Sequence, residues 1–241
     1  MDHQEKTAHP LASAIIPAYN EAPRIARVLD CLIKVPSLNE IIVVDDGSDD
    51  ALEQAVGAYP GVTYLRSPVN QGKSAALDLG VRQAANDVLL FCDADLIDLR
   101  PEDVEGIVQH VATGEHDMFV GVRNSDFNKQ VAKQKRIPRL FFIAGLRALK
   151  KPRWEKLPAF YKKRFRIEMG LTYYTSRYGA GWGYGFFDYG QSKKEVKHGV
   201  VTGFALRLWM IADLVFAYLV AKTIGEILYQ SKRLLGLKTK D

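Results

Sequence analysis

Three short polar clusters carry the residue types that chemistry at phosphates needs: Pro17-Ala18-Tyr19-Asn20-Glu21, Asp45-Asp46-Gly47-Ser48 and Asp93-Ala94-Asp95. Any one of them is ordinary. An Asp-x-Asp by itself usually marks a turn or a helix cap. Several carboxylates converging on one place are different, because they repel unless a cation or a donor sits among them. Hard oxygen ligands with open positions suit Mg2+ or Mn2+ bridging to substrate phosphates.

The elements around these clusters would bring them together. Apolar runs occur at Leu11–Pro17, Glu40–Asp45, Val62–Arg66 and Asp87–Asp93, with another at His116–Val122. Helical periodicity fills the gaps, at Glu21–Lys34, Asp49–Ala58, Gly72–Ala85 and Pro101–Ala112. Pro101 followed by Glu102 and Asp103 is a helix start, with proline in the first turn and acids facing the dipole. This alternation predicts an α/β fold with a mostly parallel sheet flanked by helices. Ligands of such sheets bind outside the carboxyl ends of the strands, where all three clusters fall.

The chain has 241 residues and a net charge of +5, with 47% hydrophobic and 25% charged residues. That is enough for a real core and excludes a disordered, collagen-like or polytopic membrane protein. The charge is divided sharply. Residues 1–128 hold 9 Lys+Arg against 21 Asp+Glu, a net of −12, while residues 129–241 hold 24 against 7, a net of +17. An acidic half suits a cation; a basic half suits phosphates, anionic lipid or nucleic acid. Cys31 and Cys92 are too few for a disulfide framework and read as core thiols in a reducing cytosol. Met1–Pro10 has no apolar stretch of the secretory kind, so a cytoplasmic location is expected.

The series Ile16-Pro17-Ala18-Tyr19-Asn20-Glu21, Val43-Val44-Asp45-Asp46-Gly47-Ser48, Asn70-Gln71-Gly72-Lys73 and Asp93-Ala94-Asp95 resembles the family 2 glycosyltransferases. The likeness covers roughly residues 11–125 and implies the GT-A fold. It implies nucleoside contacts at Pro17, Tyr19, Glu21, Asp45 and Asp46. Asp93 and Asp95 become metal and ribose ligands, with Asp95 the direct ligand of Mg2+ or Mn2+ on a UDP- or GDP-sugar. The rival reading of Gly72-Lys73-Ser74 as the end of a P-loop fails, because position 67 is serine where that motif needs glycine. Lys73 is then either near the nucleotide or a solvent-facing lysine.

Residues 129–166 contain fourteen Lys/Arg and a single acid, Glu155, with aromatics interleaved. Ala144-Gly145-Leu146-Arg147-Ala148-Leu149 resembles the family's Ser-Gly-x-Arg-Ala-Leu segment near the acceptor, with alanine replacing serine. Arg147 either grips a phosphate bidentately or is one more surface cation. Phe165-Arg166-Ile167-Glu168 resembles an element that places a glutamate under the acceptor pocket, though Arg164 stands where the family has glycine. Glu168 either serves the acceptor or neutralises a buried arginine. The family's usual Glu-Asp catalytic pair and the processive Gln-x-x-Arg-Trp motif are absent. A phosphate acceptor would need no base, because its oxygen is ionised near pH 7. His198 is a candidate late metal ligand, set against an ordinary exposed histidine.

A helical stretch at Phe165–Arg177, a glycine- and aromatic-rich strand at Ala180–Tyr189 and helices over Val200–Leu234 complete the chain. Phe204–Ala221 is apolar but interrupted by Arg207 and Asp213, which makes spanning a membrane marginal. A membrane-surface helix, a homo-oligomer interface and a helix packed on its own core remain the alternatives. The organisation expected is a nucleotide-sugar half at 1–128, a basic acceptor half of the same domain at 129–199, and a helical tail at 200–241.

These features predict a metal-dependent transferase. It would move a hexose to a lipid-linked acceptor, polyprenyl phosphate or a lipid hydroxyl, from a peripheral position at the inner membrane face. One alternative is a cytosolic transferase with a small anionic acceptor such as phosphoglycerate. Another is a nucleic-acid-binding module using the basic segment, which would leave the acidic clusters unexplained.

Overall fold

A computed structural model describes residues 11–133, 144–163, 166–191, 212–213, 215–220 and 223. Its elements are β1 (Ala12–Ala18), α1 (Ala22–Leu32), β2 (Leu38–Asp45), α2 (Leu52–Gly57), β3 (Val62–Arg66) and α3 (Lys73–Gln83). There follow β4 (Val88–Cys92), β5 (Leu96–Ile97), α4 (Pro101–Ala112), β6 (Met118–Arg123) and α5 (Asp126–Lys133). The described part continues with β7 (Leu146–Lys150), α6 (Lys151–Glu155), α7 (Ile167–Tyr178), β8 (Trp182–Phe187) and β9 (Gly190–Gln191). Five apolar runs of the first half became β1, β2, β3, β4 and β6, and the four helical stretches became α1 to α4.

Seven strands form one sheet in the order β3-β2-β1-β4-β7-β6-β8. Only β7 is reversed: it pairs antiparallel with both β4 and β6, and all other pairings are parallel. The central strands are buried on both faces, which is why they read as continuous apolar runs rather than alternating ones. Alternation decides the side. Ile16, Val43 and Leu90 face the layer of α1, α2 and α4. Ile15, Ile42 and Leu89 face the layer holding α3, Trp154 of α6 and the start of α7.

The strand β7 was not foreseen. Its sequence, Leu-Arg-Ala-Leu-Lys, carries two cations and strong helix formers, so neither propensity nor pattern marks a buried strand. Tertiary pairing overrides both, and it inserts part of the basic half between β4 and β6 of the acidic half. The two halves therefore share one sheet. Both cysteines are buried, as expected. Among the described residues no helix is long and apolar enough to cross a membrane. Tail positions 212–213, 215–220 and 223 are helical. His198 and most of Phe204–Ala221 lie outside the described residues.

Candidate active site

The turns after β1 and β2 are stitched together by their own polar atoms. Asn20 takes a left-handed conformation, φ 56°, which asparagine tolerates better than most residues. Its N–H donates to Ser48 Oγ at 2.9 Å, and its Oδ1 accepts from the Asp49 N–H at 2.9 Å. The Ala22 N–H at the start of α1 donates to Asp50 Oδ2 at 2.9 Å. These bonds leave Tyr19 exposed at the cavity edge, while Glu21 is buried beside it and accepts from Arg24 at 3.0 Å.

Asp45 and Asp46 are adjacent but turn to different work. Asp45 is fully buried; its Oδ1 accepts the Ser48 N–H at 2.7 Å, and its Oδ2 meets Arg66 at 3.1 Å and the Tyr64 hydroxyl. Burial pushes its carboxyl up, but the hydrogen bonds from Ser48 and Tyr64 and the charge of Arg66 hold it below the usual range. Asp46 lines the cavity, and its two oxygens accept the Gln71 and Gly72 N–H groups at 2.8 and 2.7 Å. It thereby fixes the loop that opens α3. Gly47 has φ +77°, and a Cβ there would lie 2.8 Å from the Val69 carbonyl carbon, so the turn accepts only glycine without a shift.

Asp93 and Asp95 stand just past the end of β4, and β5 begins at the next residue. Gln191, at the end of β9, reaches both: its Nε2 donates to Asp93 Oδ2 at 3.2 Å and to Asp95 Oδ1 at 3.0 Å. The β5–β9 pairing, with Leu96 opposite Gln191, brings it there. Behind Asp93 the Gly145 carbonyl accepts its N–H at 2.8 Å, and a Cβ on Gly145 would lie 2.2 Å from Asp93 Oδ2. The glycine beside Arg147 is therefore what lets Asp93 seat against the start of β7.

Lys73, in the first turn of α3, joins this group to α7. Its Nζ lies 2.7 Å from Asp93 Oδ1 and 3.1 Å from Glu168 Oε1. Burial disfavours the charged amine, but Asp93 and Glu168 outweigh that and hold Lys73 above its ordinary range. Glu168 is subject to the reverse balance: burial raises its carboxyl, and Lys73 and Arg147 draw it below normal. Arg147 is buried, and its guanidinium donates to the main-chain oxygens of Glu168 at 3.3 Å and Ala144 at 3.1 Å. Burial lowers it from the usual arginine value, with Glu168 and Asp93 opposing. Its described bonds tie β7 to α7 rather than presenting a fork to solvent.

The result is a cavity of about 250 Å3 lined by Pro17, Tyr19, Glu21, Asp46, Lys73, Asp93, Asp95 and Gln191, among others. Two carboxylates and a carboxamide converge at its mouth. That is a hard, oxygen-rich donor set with the character Mg2+ or Mn2+ requires. The family described as Glycosyl transferase family 2 matches residues 13–167, which span every cavity residue but Gln191.

The chain belongs to glycosyl transferase family 2. It is similar to a dolichyl-phosphate beta-glucosyltransferase of Trichomonas vaginalis, 33% identical over 34% of this chain and 30% of that protein. It is also similar to a dodecaprenyl-phosphate galacturonate synthase of Rhizobium johnstonii, 30% identical over 47% of this chain and 36% of that one. The match thus spans about a third of the length of these curated relatives. Among solved structures, the glucosyl-3-phosphoglycerate synthase of Mycobacterium tuberculosis with Mn2+, uridine diphosphate and phosphoglyceric acid superposes with a TM-score of 0.71. It is 22% identical, and the overlap covers 87% of this chain and 79% of that one. The GT-A fold expected from the motifs is the fold observed.

Of the residues singled out from sequence, Pro17, Tyr19, Glu21, Asp46, Lys73, Asp93 and Asp95 line one cavity. Glu168 joins them through Lys73, and Asp45 and Arg147 sit one layer behind. Gln191 was missed. It lies 96 residues from Asp95, and nothing in a lone glutamine after a glycine-rich strand announces a role at a carboxylate pair.

Proposed function

We propose that this enzyme transfers a hexose from a UDP- or GDP-sugar to a lipid-linked phosphate at the cytoplasmic membrane face, with Mg2+ or Mn2+ at Asp93 and Asp95. One observation carries the reading: the two carboxylates, bridged by the Gln191 amide, open onto the cavity that Tyr19, Glu21 and Asp46 line. When bound, the divalent ion would neutralise the pyrophosphate charge that develops as the sugar leaves. Asp95 and Asp93 would hold it, and the Gln191 side-chain oxygen can join them after rotation of the amide. Tyr19 would lie against the base. Lys73 would hold Asp93 in place through its contact at 2.7 Å.

The state of Glu168 favours a phosphate acceptor. A general base works best when its pKa lies near the working pH. Lys73 and Arg147 hold Glu168 below the usual glutamate range, so it is a poor base for an alcohol. A phosphate oxygen needs no deprotonation. The named substrates of the two curated relatives, dolichyl and dodecaprenyl phosphates, agree with this choice. The exposed row Val215, Phe216 and Leu219 on the tail helix supports a surface contact with lipid. Phosphoglycerate, the acceptor bound in the solved structural neighbour, is the second reading.

A thermal-shift screen of UDP-, GDP- and dTDP-sugars with and without Mn2+ tests the donor side, because a ligand that binds only the folded state raises its stability. One sugar nucleotide should stand out, and only with Mn2+. Product formation on polyprenyl phosphate but not on phosphoglycerate would establish the acceptor; the reverse pattern would replace it with the second reading.

A further inference from the structure

A second group of metal-ligating side chains lies at the other edge of the sheet. His110 is in the last turn of α4, and Glu115 and His116 stand in the turn that leads to β6. Strand β6 runs parallel to β4, since β7 is antiparallel to both. His116, before β6, is therefore at the amino edge, opposite Asp93 and Asp95. The imidazole and carboxylate ligand atoms of the three residues all lie within 4.8 Å of one another.

The backbone prepares this arrangement. The helix ends through Thr113 N–H to Gln109 O at 3.0 Å and Gly114 N–H to Val111 O at 3.1 Å. Gly114, at φ +82°, then turns the chain back in the left-handed conformation common after helix ends. The His116 N–H donates to His110 O at 3.0 Å, closing the loop and setting the two histidines side by side. The rings are held as well. His110 stacks on Phe119 with centroids 3.9 Å apart, and His116 lies against Gly183 of β8, where a Cβ would meet its Nε2 at 2.5 Å. Both rings face Glu115: His110 Nδ1 is 2.6 Å from Oε2, and His116 Nε2 is 3.5 Å from Oε1.

We infer that His110, Glu115 and His116 form a binding site for a borderline divalent transition metal of the Zn2+ class, separate from the nucleotide cavity. Two imidazoles and one carboxylate suit Zn2+, and they do not suit Mg2+, which takes oxygen ligands. Ligands about 2.0–2.2 Å from zinc stand roughly 3.4 Å apart in a tetrahedral site. The observed separations, from 2.6 Å to at most 4.8 Å, bracket that figure, and the exposed Glu115 side chain is the one with room to adjust and close the site. Three protein ligands leave a fourth position for water. The ion would clip the end of α4 to the start of β6 and, through His116, to β8, whose chain runs on to Gln191.

Calorimetric titration of the chelator-treated full chain with Zn2+ tests this. The wild-type protein and Asp95→Asn should both show the same 1:1 site. His110→Ala and His116→Ala should each weaken it by more than about 100-fold, beyond the loss expected from an outer-sphere partner. Glu115 is exposed, so Glu115→Ala serves where a histidine variant fails to fold. Glycosyl transfer supported by Mg2+ should be unchanged in Glu115→Ala. A 1:1 site that vanishes in Asp95→Asn, no 1:1 site at all, or Zn2+ binding that survives Glu115→Ala and both histidine variants would overturn the inference.

Discussion

Lys73 Nζ sits between two carboxylates on different elements, 2.7 Å from Asp93 Oδ1 and 3.1 Å from Glu168 Oε1. One ammonium thereby couples the strand end that would hold the metal to the first turn of α7. Lys73→Met leaves two carboxylates facing each other without the cation. Because Lys73 is partly exposed, the expected loss of stability is about 1–2 kcal/mol, read from the urea midpoint. Turnover should fall about 100-fold through the displaced Asp93. The pH dependence has a definite sign. Glu168 is lowered in the folded state, so its contribution is present above the unfolded value of about 4.3 and is lost as pH falls through the folded value. The acid limb of the wild-type stability curve should therefore flatten in Lys73→Met.

Gly47→Ala should destabilise the fold and weaken donor binding together. Its φ of +77° disfavours any side chain, and the added Cβ would press on the Val69–Asn70 backbone at 2.8–2.9 Å. A cost of about 1–3 kcal/mol is expected. The same push moves the segment that carries Gln71 and Gly72, whose N–H groups Asp46 holds. Thermal melts with and without sugar nucleotide would show both effects. A variant that melts lower but keeps the full ligand-induced shift would separate the turn from the donor site.

Much of this was legible in the sequence, for physical reasons that also mark where legibility ends. Central parallel strands are buried on both faces, so β1, β2 and β4 appear as unbroken apolar runs, and polar clusters at their ends can only be at one sheet edge. Strand β7 left no such trace, because Arg147 is buried through bonds to main-chain oxygens that no pattern encodes. For the same reason Arg147 and Glu168 each kept two readings. Gln191 reaches Asp95 only because β9 pairs with β5, a two-residue ladder invisible to periodicity.

Asp95→Asn and Gln191→Leu should act on the same quantity to different degrees. Asp95→Asn removes a hard anionic ligand, and the Mn2+-dependent part of the donor-induced thermal shift should disappear with product formation. Gln191→Leu leaves both carboxylates in place but removes the amide that bridges them at 3.2 and 3.0 Å. Loss of such an orienting partner costs about 10–100-fold in metal affinity. Titration with Mn2+ at fixed donor should show a shifted midpoint and an undiminished plateau. An unshifted midpoint would assign Gln191 to packing alone.

The aspartate that makes the tail a poor membrane span is the one that docks it. Arg166, at the start of α7, donates to Asp213 Oδ1 from Nε at 2.9 Å and from Nη2 at 2.7 Å, and its guanidinium lies over the Phe160 and Phe216 rings. The tail helix therefore packs with its polar interruption inward, and Val215 and Leu219, 43% and 55% exposed, point away. Two substitutions separate docking from lipid contact. Asp213→Ala strands a half-buried guanidinium and should lower stability by about 1–3 kcal/mol, measured by denaturant unfolding. Val215→Asp with Leu219→Asp alters only exposed positions, so unfolding should stay within about 0.5 kcal/mol of the wild type. Flotation with anionic vesicles should nonetheless drop about tenfold or more, since each change replaces apolar contact with repulsion from anionic headgroups. Wild-type protein that fails to float would remove the membrane from the proposal and turn attention to the small anionic acceptor.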